Sequence, residues 1–296
     1  MLRAGGIGGK GAALLVPPRP PPLRLMADQG WMHRFRLGAA DLKDGARLWR
    51  LVWALGLADI RLRYRGSVLG PFWLTLSTAV MIGSMAFLYA FLFHTEIHTY
   101  LPYLTVSLIF WGYLSSLITE GSMCFISADA TIRGMRMPLV VHAGRSVVRN
   151  TIVLAHNLVV VVVVLAVMRT HFGWYALWAI PAFALWLVDG LAVSVLFGAF
   201  CARFRDVPQI IASLLQIAFF VTPIMWYANV LAHHPTGQIL VRFNPFYLIL
   251  EVLRGPILGE PVTSGTVAKA VLGSALLIGI AGVAFARARG RLAYWV

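Results

Sequence analysis

The sequence contains few cysteines and few acidic residues. Only two of its 296 residues are cysteines, Cys124 and Cys201, and both lie at the ends of apolar segments. Because there is no Cys-x-x-Cys pair, the sequence indicates neither a disulfide framework nor a zinc site. We expect both cysteines to be buried, small apolar residues.

The sequence also lacks the short motifs of common enzyme sites. It contains no His-Glu-x-x-His, no Gly-x-Ser-x-Gly and no cluster of aspartates suited to a lipid diphosphate with magnesium. The stretch "GGIGGKG" (5–11) resembles a phosphate-binding loop, but Ala4 stands where its first glycine belongs and Gly11 where it needs Ser or Thr. We therefore expect no catalytic site and no bound metal or cofactor in this chain.

Apolar residues are abundant instead. They make up 59% of the sequence, and the mean hydropathy is +0.79, whereas soluble domains are roughly 45–50% apolar. Too little polar surface remains to cover such a core in water. The composition therefore predicts an integral membrane protein.

Six segments are apolar enough to form spanning helices of about 20 residues. They are 71–93, 103–124, 150–168, 174–200, 209–227 and 270–286. The sequence thus predicts an all-α membrane protein with six spans. Pro181 and Asp189 lie inside the fourth predicted span.

The 25 Lys and Arg residues exceed the 11 Asp and Glu residues and give a formal charge of +14. Such a charge can indicate nucleic-acid binding, but in a membrane protein Lys and Arg mark the cytoplasmic face. With the N-terminus inside, 21 of the 25 fall in residues 1–70, in loops 125–150 and 201–208, and in the C-terminal tail. This distribution predicts that both termini are cytoplasmic.

The flanks of the spans have distinct compositions. Residues 1–44 are rich in Gly and Pro near their start and are predicted to be a disordered extension, with Met26 and Met32 as alternative initiators. Residues 45–296 are predicted to be one transmembrane domain. It opens with an amphipathic helix along the membrane surface, whose apolar stripe includes Leu48, Leu51, Val52 and Leu55.

The segment between the last two predicted spans is apolar but interrupted. In "FNPFYLILEVLRGPIL" (243–258), Asn244 can cap a helix that begins at Pro245. Glu251 and Arg254 stand three residues apart and can pair. We expect short re-entrant helices at the outer face here.

Three ionisable residues fall within predicted spans: Glu120, Asp189 and His156. Burying such groups in a membrane is costly, so they are candidates for function. A structural role is the alternative for each, because a proton relay needs several such groups at matched depth. Loop 125–150, with Asp129, Arg133, Arg136, Arg145 and Arg149, either docks a soluble partner or only fixes the topology.

Four stretches together resemble the membrane subunit of polysaccharide-exporting ABC transporters, the ABC-2 permease family that moves O-antigen and teichoic acid chains. They are "RYRGSVLGPFW" (63–73), "SADATIRGMRMPLVVHAGR" (127–145), "RFRDVPQIIASLLQIAFFVTPIMW" (203–226) and "FNPFYLILEVLRGPILG" (243–259). Their order around six spans makes the match specific, and it covers about residues 45–296. Trp226 stands where the family often has Tyr.

The resemblance implies a homodimer bound to two separate cytoplasmic ATPase subunits, in the bacterial inner membrane. ATP and Mg would be bound by those partners, and the substrate would be a lipid-linked (polyprenyl diphosphate) polysaccharide such as O-antigen. Motion would enter through short cytoplasmic segments. The residues expected to receive it from the ATPase are Arg133, Arg136, Arg203, Arg205 and Asp206.

Two further groups are candidates for substrate contact. Arg61, Arg63 and Arg65, at the predicted inner interface, either gather the diphosphate head group or attract lipid generally. The predicted translocation path follows the fifth span; its candidates are Phe219, Phe220, Thr222, Pro223 and Trp226.

Other functions stay open. A drug or small-lipid ABC-2 exporter is the nearest alternative. A secondary transporter is expected to carry inverted repeats and a midplane ion site, and none is visible. A membrane acyl- or glycosyltransferase is disfavoured by the missing catalytic cluster.

Overall fold

The computed structural model describes residues 30–67, 70, 72–92, 94–170, 173–231 and 233–296. This part of the chain is almost wholly helical and contains no β-strand. Residues 1–29, which hold most of the extension expected to be disordered, lie outside the described residues. So do Met26 and the glycine-rich stretch at 5–11.

Twelve α-helices occur in the described residues. They are α1 (Trp31–Arg47), α2 (Trp49–Arg63), α3 (Phe72–Leu92), α4 (Ile97–Ser122), α5 (Asp129–Gly134), α6 (Leu139–Val167), α7 (Ala179–Arg203), α8 (Val207–Val221), α9 (Pro235–Phe243), α10 (Pro245–Ile257), α11 (Ser264–Ala288) and α12 (Leu292–Trp295). Short 3₁₀ turns cover Ile126–Ala128, Trp174–Trp178 and Ala228–Leu231.

Five helical segments are long and apolar enough to cross a membrane. They are Phe72–Leu92, Ile97–Ser122, Leu139–Val167, Trp174–Arg203 and Ser264–Ala288. The chain is therefore a multi-pass membrane protein. The predicted span 209–227 corresponds to the shorter apolar helix α8, which has 15 residues. It ends where the proline after Thr222 disfavours helical backbone, and Thr222 is extended, with ψ 137°.

Helix α4 lies at the centre of the bundle, packed against α6 and α7. Two-thirds of its most apolar stretch is buried inside the protein, the largest share among the five spanning segments. Glycines permit the close approach of α7. A Cβ at Gly121 would lie 2.5 Å from the Oγ of Ser194, and one at Gly198 would lie 2.7 Å from the Sγ of Cys124.

Two regions predicted to lack regular structure are largely helical. Residues 31–44 were assigned to a disordered extension, which is wrong for this part of it, because Trp31–Arg47 is a helix that contacts α6 and α11. The predicted loop 125–150 is also mostly helix, because α6 already begins at Leu139. Arg145 and Arg149 therefore project from a helix.

Helix α1 is held in place by the buried carboxylate of Asp41. Its two oxygens accept hydrogen bonds from the backbone N–H groups of Leu139 and Val140, each at 3.2 Å. These are among the unsatisfied donors at the start of α6, so Asp41 caps a helix far away in sequence. Arg289, after the end of α11, adds an ion pair at 3.0 Å.

These contacts place most arginines at one end of the bundle. The end of α4 meets the start of α6, since Arg149 bonds Glu120 at 2.7 Å, and Asp41 joins that start to the end of α11. We call the end formed by α1, α2, α5, α12, the start of α6 and the last turns of α4, α7 and α11 the basic end. Lys269 and Arg254 lie toward the opposite end.

Candidate functional site at the basic end

Four charged side chains join three helices at the basic end. Arg145 donates two hydrogen bonds to Asp59 of α2, the Nε bond at 2.7 Å. Arg149 bonds Asp59 at 3.0 Å and Glu120 of α4 at 2.7 Å. The planar guanidinium suits such paired carboxylate contacts. This charge cluster therefore ties the surface helix α2 to the two membrane helices.

Glu120 is the hub of the charge cluster on α4. Besides Arg149 it accepts hydrogen bonds from Arg63 and from the side-chain amide of Asn150, both at 3.0 Å. Its oxygens are thus committed to three partners. The contacts favour the structural reading of Glu120 over a proton relay.

The pKa of Asp59 shows that the charge cluster stabilises the ionised form of this carboxylate. Burial would raise this pKa, but hydrogen bonds and positive charges from Arg145 and Arg149 outweigh it and lower the pKa below its ordinary 3.8. A carboxyl whose pKa is lowered on folding stabilises the folded state above its ordinary pKa. That stabilisation is lost as the pH falls through the folded value.

We therefore expect Asp59→Asn to lower the unfolding temperature of the purified protein most at neutral pH. The difference from wild type should shrink as the pH falls below about 3.8. The control is Asp44→Asn on α1, because Asp44 is exposed and lies 3.8 Å from Arg47. A gap between wild type and Asp59→Asn that stays constant into strong acid would contradict the assignment.

Three arginines predicted to receive motion converge on the end of the chain. Arg133 of α5 donates to the backbone oxygen of Val296 and pairs with Asp129. Arg205 donates to the backbone oxygen of Trp295 at 3.2 Å. Arg203 lies over the ring of the same tryptophan, 5.4 Å from its centroid. The structure thus brings two predicted loops together around α12.

The other two predicted coupling residues are exposed at this end. Asp206 is the residue before α8, where a negative charge suits the helix dipole, but its side chain makes no capping hydrogen bond there. Pro208 occupies the first turn of α8. Arg136 follows α5 and is exposed on the same surface.

The predicted lipid-diphosphate arginines divide into two kinds. Arg63 is committed to Glu120 within the charge cluster. Arg61 and Arg65 are exposed and make no ion pair with the part of the chain that the structure describes. Of the three, Arg61 and Arg65 are thus the ones whose guanidinium groups have no ion-pair partner among the described residues.

The predicted path residues lie in the last turn of α8 and in the turn after it, away from the basic end. Thr222 and Pro223 are buried, and Asn244 donates to the Thr222 hydroxyl at 3.0 Å. Phe219 packs against Trp111, with ring centroids 6.0 Å apart, and Trp226 donates to the backbone of Phe220 at 3.4 Å. Of the predicted set only Phe220, 61% exposed, has a largely open side chain.

A buried arginine organises this segment. Arg254 of α10, 2% exposed, pairs with Glu251 as predicted and donates to Ser107 of α4 at 2.9 Å and to the carbonyl of Pro223 at 2.8 Å. Its guanidinium lies 4.4 Å from the ring centroid of Tyr103. The predicted Asn244 cap on α10 is also confirmed. Arg254 therefore fixes the turn after α8 to α4.

An apolar groove of about 880 Å³ runs between α7, α8, α10 and α11. The carboxylate of Asp189, 6% exposed, is one of few polar groups in its wall. One carboxylate oxygen accepts a hydrogen bond from Ser274 at 2.6 Å, and the other has no partner among the described residues. The sequence singled out Asp189 but gave no sign of Ser274, 85 positions away.

Comparison with known proteins gives three relatives, while no protein-family model matches the chain. Each relative is described as "O-antigen export system permease protein RfbA". The protein from Myxococcus xanthus is 22% identical over 196 residues, covering 65% of this chain and 74% of the relative. Two from Klebsiella pneumoniae are 24% and 23% identical over 190 residues, covering 63% of this chain and 72% of each. The resemblance that the motifs indicate is confirmed.

Proposed function

We propose that this chain is the permease subunit of an ATP-driven ABC transporter that exports a lipid-linked polysaccharide such as O-antigen. In this proposal two copies assemble with two copies of a separate cytoplasmic ATPase in the inner membrane. The basic end faces the cytoplasm, and both termini lie there. The observation that carries the proposal is the similarity to three permeases named for O-antigen export over nearly two-thirds of the chain.

The positive-inside rule supports this orientation. The basic end gathers the arginines of α1, α2, α5 and the first half of α6, together with Arg289 and Arg291 before α12, while few cations lie toward the opposite end. In this orientation α8 crosses or partly crosses the membrane as a sixth segment, and α9 and α10 lie near the outer face. The short helix α8 then runs between the coupling surface and the buried turn at Thr222.

The basic end supplies a coupling surface for the ATPase. Asp206 and Arg205 are exposed immediately before α8, and Arg133 and Arg203 stand beside them around α12. A force applied to this surface acts directly on the start of α8. The turn held by Arg254 anchors the other end of the same helix.

Reversing the charges in Arg205→Glu with Asp206→Lys is expected to abolish the stimulation of the partner ATPase and the export of polymer. Membrane insertion should be retained. The measurement is ATP hydrolysis by the co-purified complex in vesicles, alongside export of lipid-linked polymer in cells. Unchanged export by this variant would reject the coupling role.

Arg205 also contacts the backbone of Trp295, so its substitution can disturb folding as well as coupling. The Asp206 side chain makes no capping bond, and Asp206→Lys alone therefore tests coupling without removing a structural contact. The matched control is Arg242→Glu, an exposed charge in the last turn of α9. We expect this control to keep wild-type hydrolysis. Failure to co-purify any ABC ATPase with the wild-type chain would sink the proposed function itself.

Export of a small lipid is the second candidate, favoured by the apolar groove of about 880 Å³. A groove of that size suits hydrocarbon better than a polar sugar chain. The two functions are separated by loading complex-containing vesicles with either the lipid-linked polymer or the free lipid. Translocation of the free lipid only would favour the second candidate.

A further inference from the structure

A second, smaller pocket lies at the basic end between α7 and α11. Its volume is about 410 Å³. Two chemically different sets of residues line it: apolar side chains and arginines. The apolar and aromatic set includes Leu196, Phe197, Phe200, Phe204, Ala284 and Trp295, and the arginines are Arg203, Arg287 and Arg291. We call this the arginine pocket.

The positive charge of the arginine pocket is not neutralised by the described part of the protein. No Asp or Glu lines the pocket, and its three arginines are exposed and take part in none of the ion pairs found among the described residues. Arg289, in contrast, is paired with Asp41. Three guanidinium groups therefore share one small pocket without an ion-pair partner in the described part of the chain.

Aromatic rings hold two of these guanidinium groups in place. Arg203 lies 5.2 Å from the ring centroid of Phe204 and 5.4 Å from that of Trp295. Arg287 lies 4.4 Å from the ring centroid of Trp31 on α1. Stacking restrains an arginine while leaving its N–H groups free to donate in the ring plane. The donors are thus oriented before any ligand arrives.

The walls of the pocket belong to membrane-spanning helices. Leu196, Phe197 and Phe200 lie near the end of the segment Trp174–Arg203, and Ala284 near the end of Ser264–Ala288. The pocket therefore combines a hydrocarbon-lined part beside the membrane with cations at the interface. Basic pockets between membrane helices at this depth bind phosphorylated lipid head groups.

We propose that the arginine pocket binds the phosphate head group of an anionic membrane lipid, with the first part of the lipid chain along Leu196 and Phe200. Arginine forks donate paired hydrogen bonds to phosphate oxygens, and the apolar wall adds contacts that a lipid chain can make but a soluble anion such as inorganic phosphate cannot. An acidic protein surface would match the charge but not the membrane-facing wall. Arg203, which also stands at the proposed coupling surface, is thereby given a second role in lipid binding.

The site does not require the proposed function, because any phosphate-bearing lipid of the bilayer satisfies it. Its test uses the full chain purified in detergent and native mass spectrometry after titration with phosphatidylglycerol. The test variant carries Arg203→Gln, Arg287→Gln and Arg291→Gln. The control carries Arg36→Gln, Arg47→Gln and Arg50→Gln, which remove three exposed charges of α1 and α2.

We expect the pocket variant to bind phosphatidylglycerol at least about tenfold more weakly than wild type, and the control to lose less, since generic attraction acts on all basic residues alike. Equal weakening in both triple variants would overturn the proposal. The proposal would also be overturned if the pocket variant bound lipid as wild type does but failed to assemble with the ATPase. The pocket would then bind a protein. If the triple variant does not fold, Arg291→Gln alone should show a smaller loss in the same titration, and no loss would count against the site.

A second titration separates the two phosphate-bearing sources. Polyprenyl diphosphate, the lipid carrier that the proposed function implies, is added in place of phosphatidylglycerol. If the pocket variant loses affinity for phosphatidylglycerol but not for polyprenyl diphosphate, the pocket binds bilayer lipid. If it loses affinity for the diphosphate only, the pocket binds the carrier. If the pocket variant binds both lipids as tightly as wild type, the lipid site is overturned, whereas the exporter proposal is unaffected.

Discussion

Arg254→Ala is expected to destabilise the protein by about 3–5 kcal/mol, because removing one partner of a buried ion pair leaves the other charge uncompensated. The variant loses the fork to Glu251 and the hydrogen bonds to Ser107 and to the carbonyl of Pro223. The turn after α8 is then no longer held against α4. The measurement is the melting temperature in detergent with the monodisperse fraction after size exclusion.

The control for this prediction is Arg242→Ala on the neighbouring helix α9, where the arginine is exposed. It should melt close to wild type, as most surface substitutions do. Arg254→Met with Glu251→Met should recover part of the stability, because replacing both members of a buried pair by apolar groups is often nearly neutral. A wild-type melting temperature for Arg254→Ala would show that the buried pair does not hold this turn.

Gly121→Ala is expected to cost about 1–3 kcal/mol, as overpacked interiors do. The added Cβ would lie 2.5 Å from the Oγ of Ser194 and 3.1 Å from its Cα. The Oγ can move, but the backbone of α7 cannot move without opening the contact between α4 and α7. The measurement is again thermal unfolding of the purified protein.

Gly112→Ala on the same helix is the matched control. A Cβ there would meet nothing within 4 Å, and alanine favours a helix over glycine by about 1 kcal/mol, so this variant should be neutral or more stable. Adding Ser194→Gly to Gly121→Ala removes the nearest clash and should restore part of the loss. If the two single alanine variants behave alike, close packing is not what requires glycine at position 121.

The structure divides arginines that look equivalent in sequence. Arg145 and Arg149 belong to the charge cluster and are partly buried against Asp59 and Glu120. Arg61 and Arg65 remain exposed near the same end. A count of positive charges predicts the face on which they lie, but not which of them are already bound by the protein. Only the free ones are available to a lipid or partner.

The sequence by itself determined the features that depend on neighbours along the chain. Apolar runs predicted the membrane helices, and spacing of three residues predicted the pair between Glu251 and Arg254. Asn244 before Pro245 predicted the cap of α10. Each of these follows from helix geometry within a few residues. Interactions between residues close in sequence were sufficient to predict these features.

Tertiary structure alone decided which distant groups meet. Asp41 caps α6 across 98 positions, and Arg254 reaches Ser107 across 147. No periodicity encodes such partners, because they come together only when separate helices pack and each buried polar group must find a hydrogen bond. The same packing explains why α6 begins at Leu139, earlier than the sequence predicts, and why α1 is helical. Buried contacts there offset the entropy of fixing the chain.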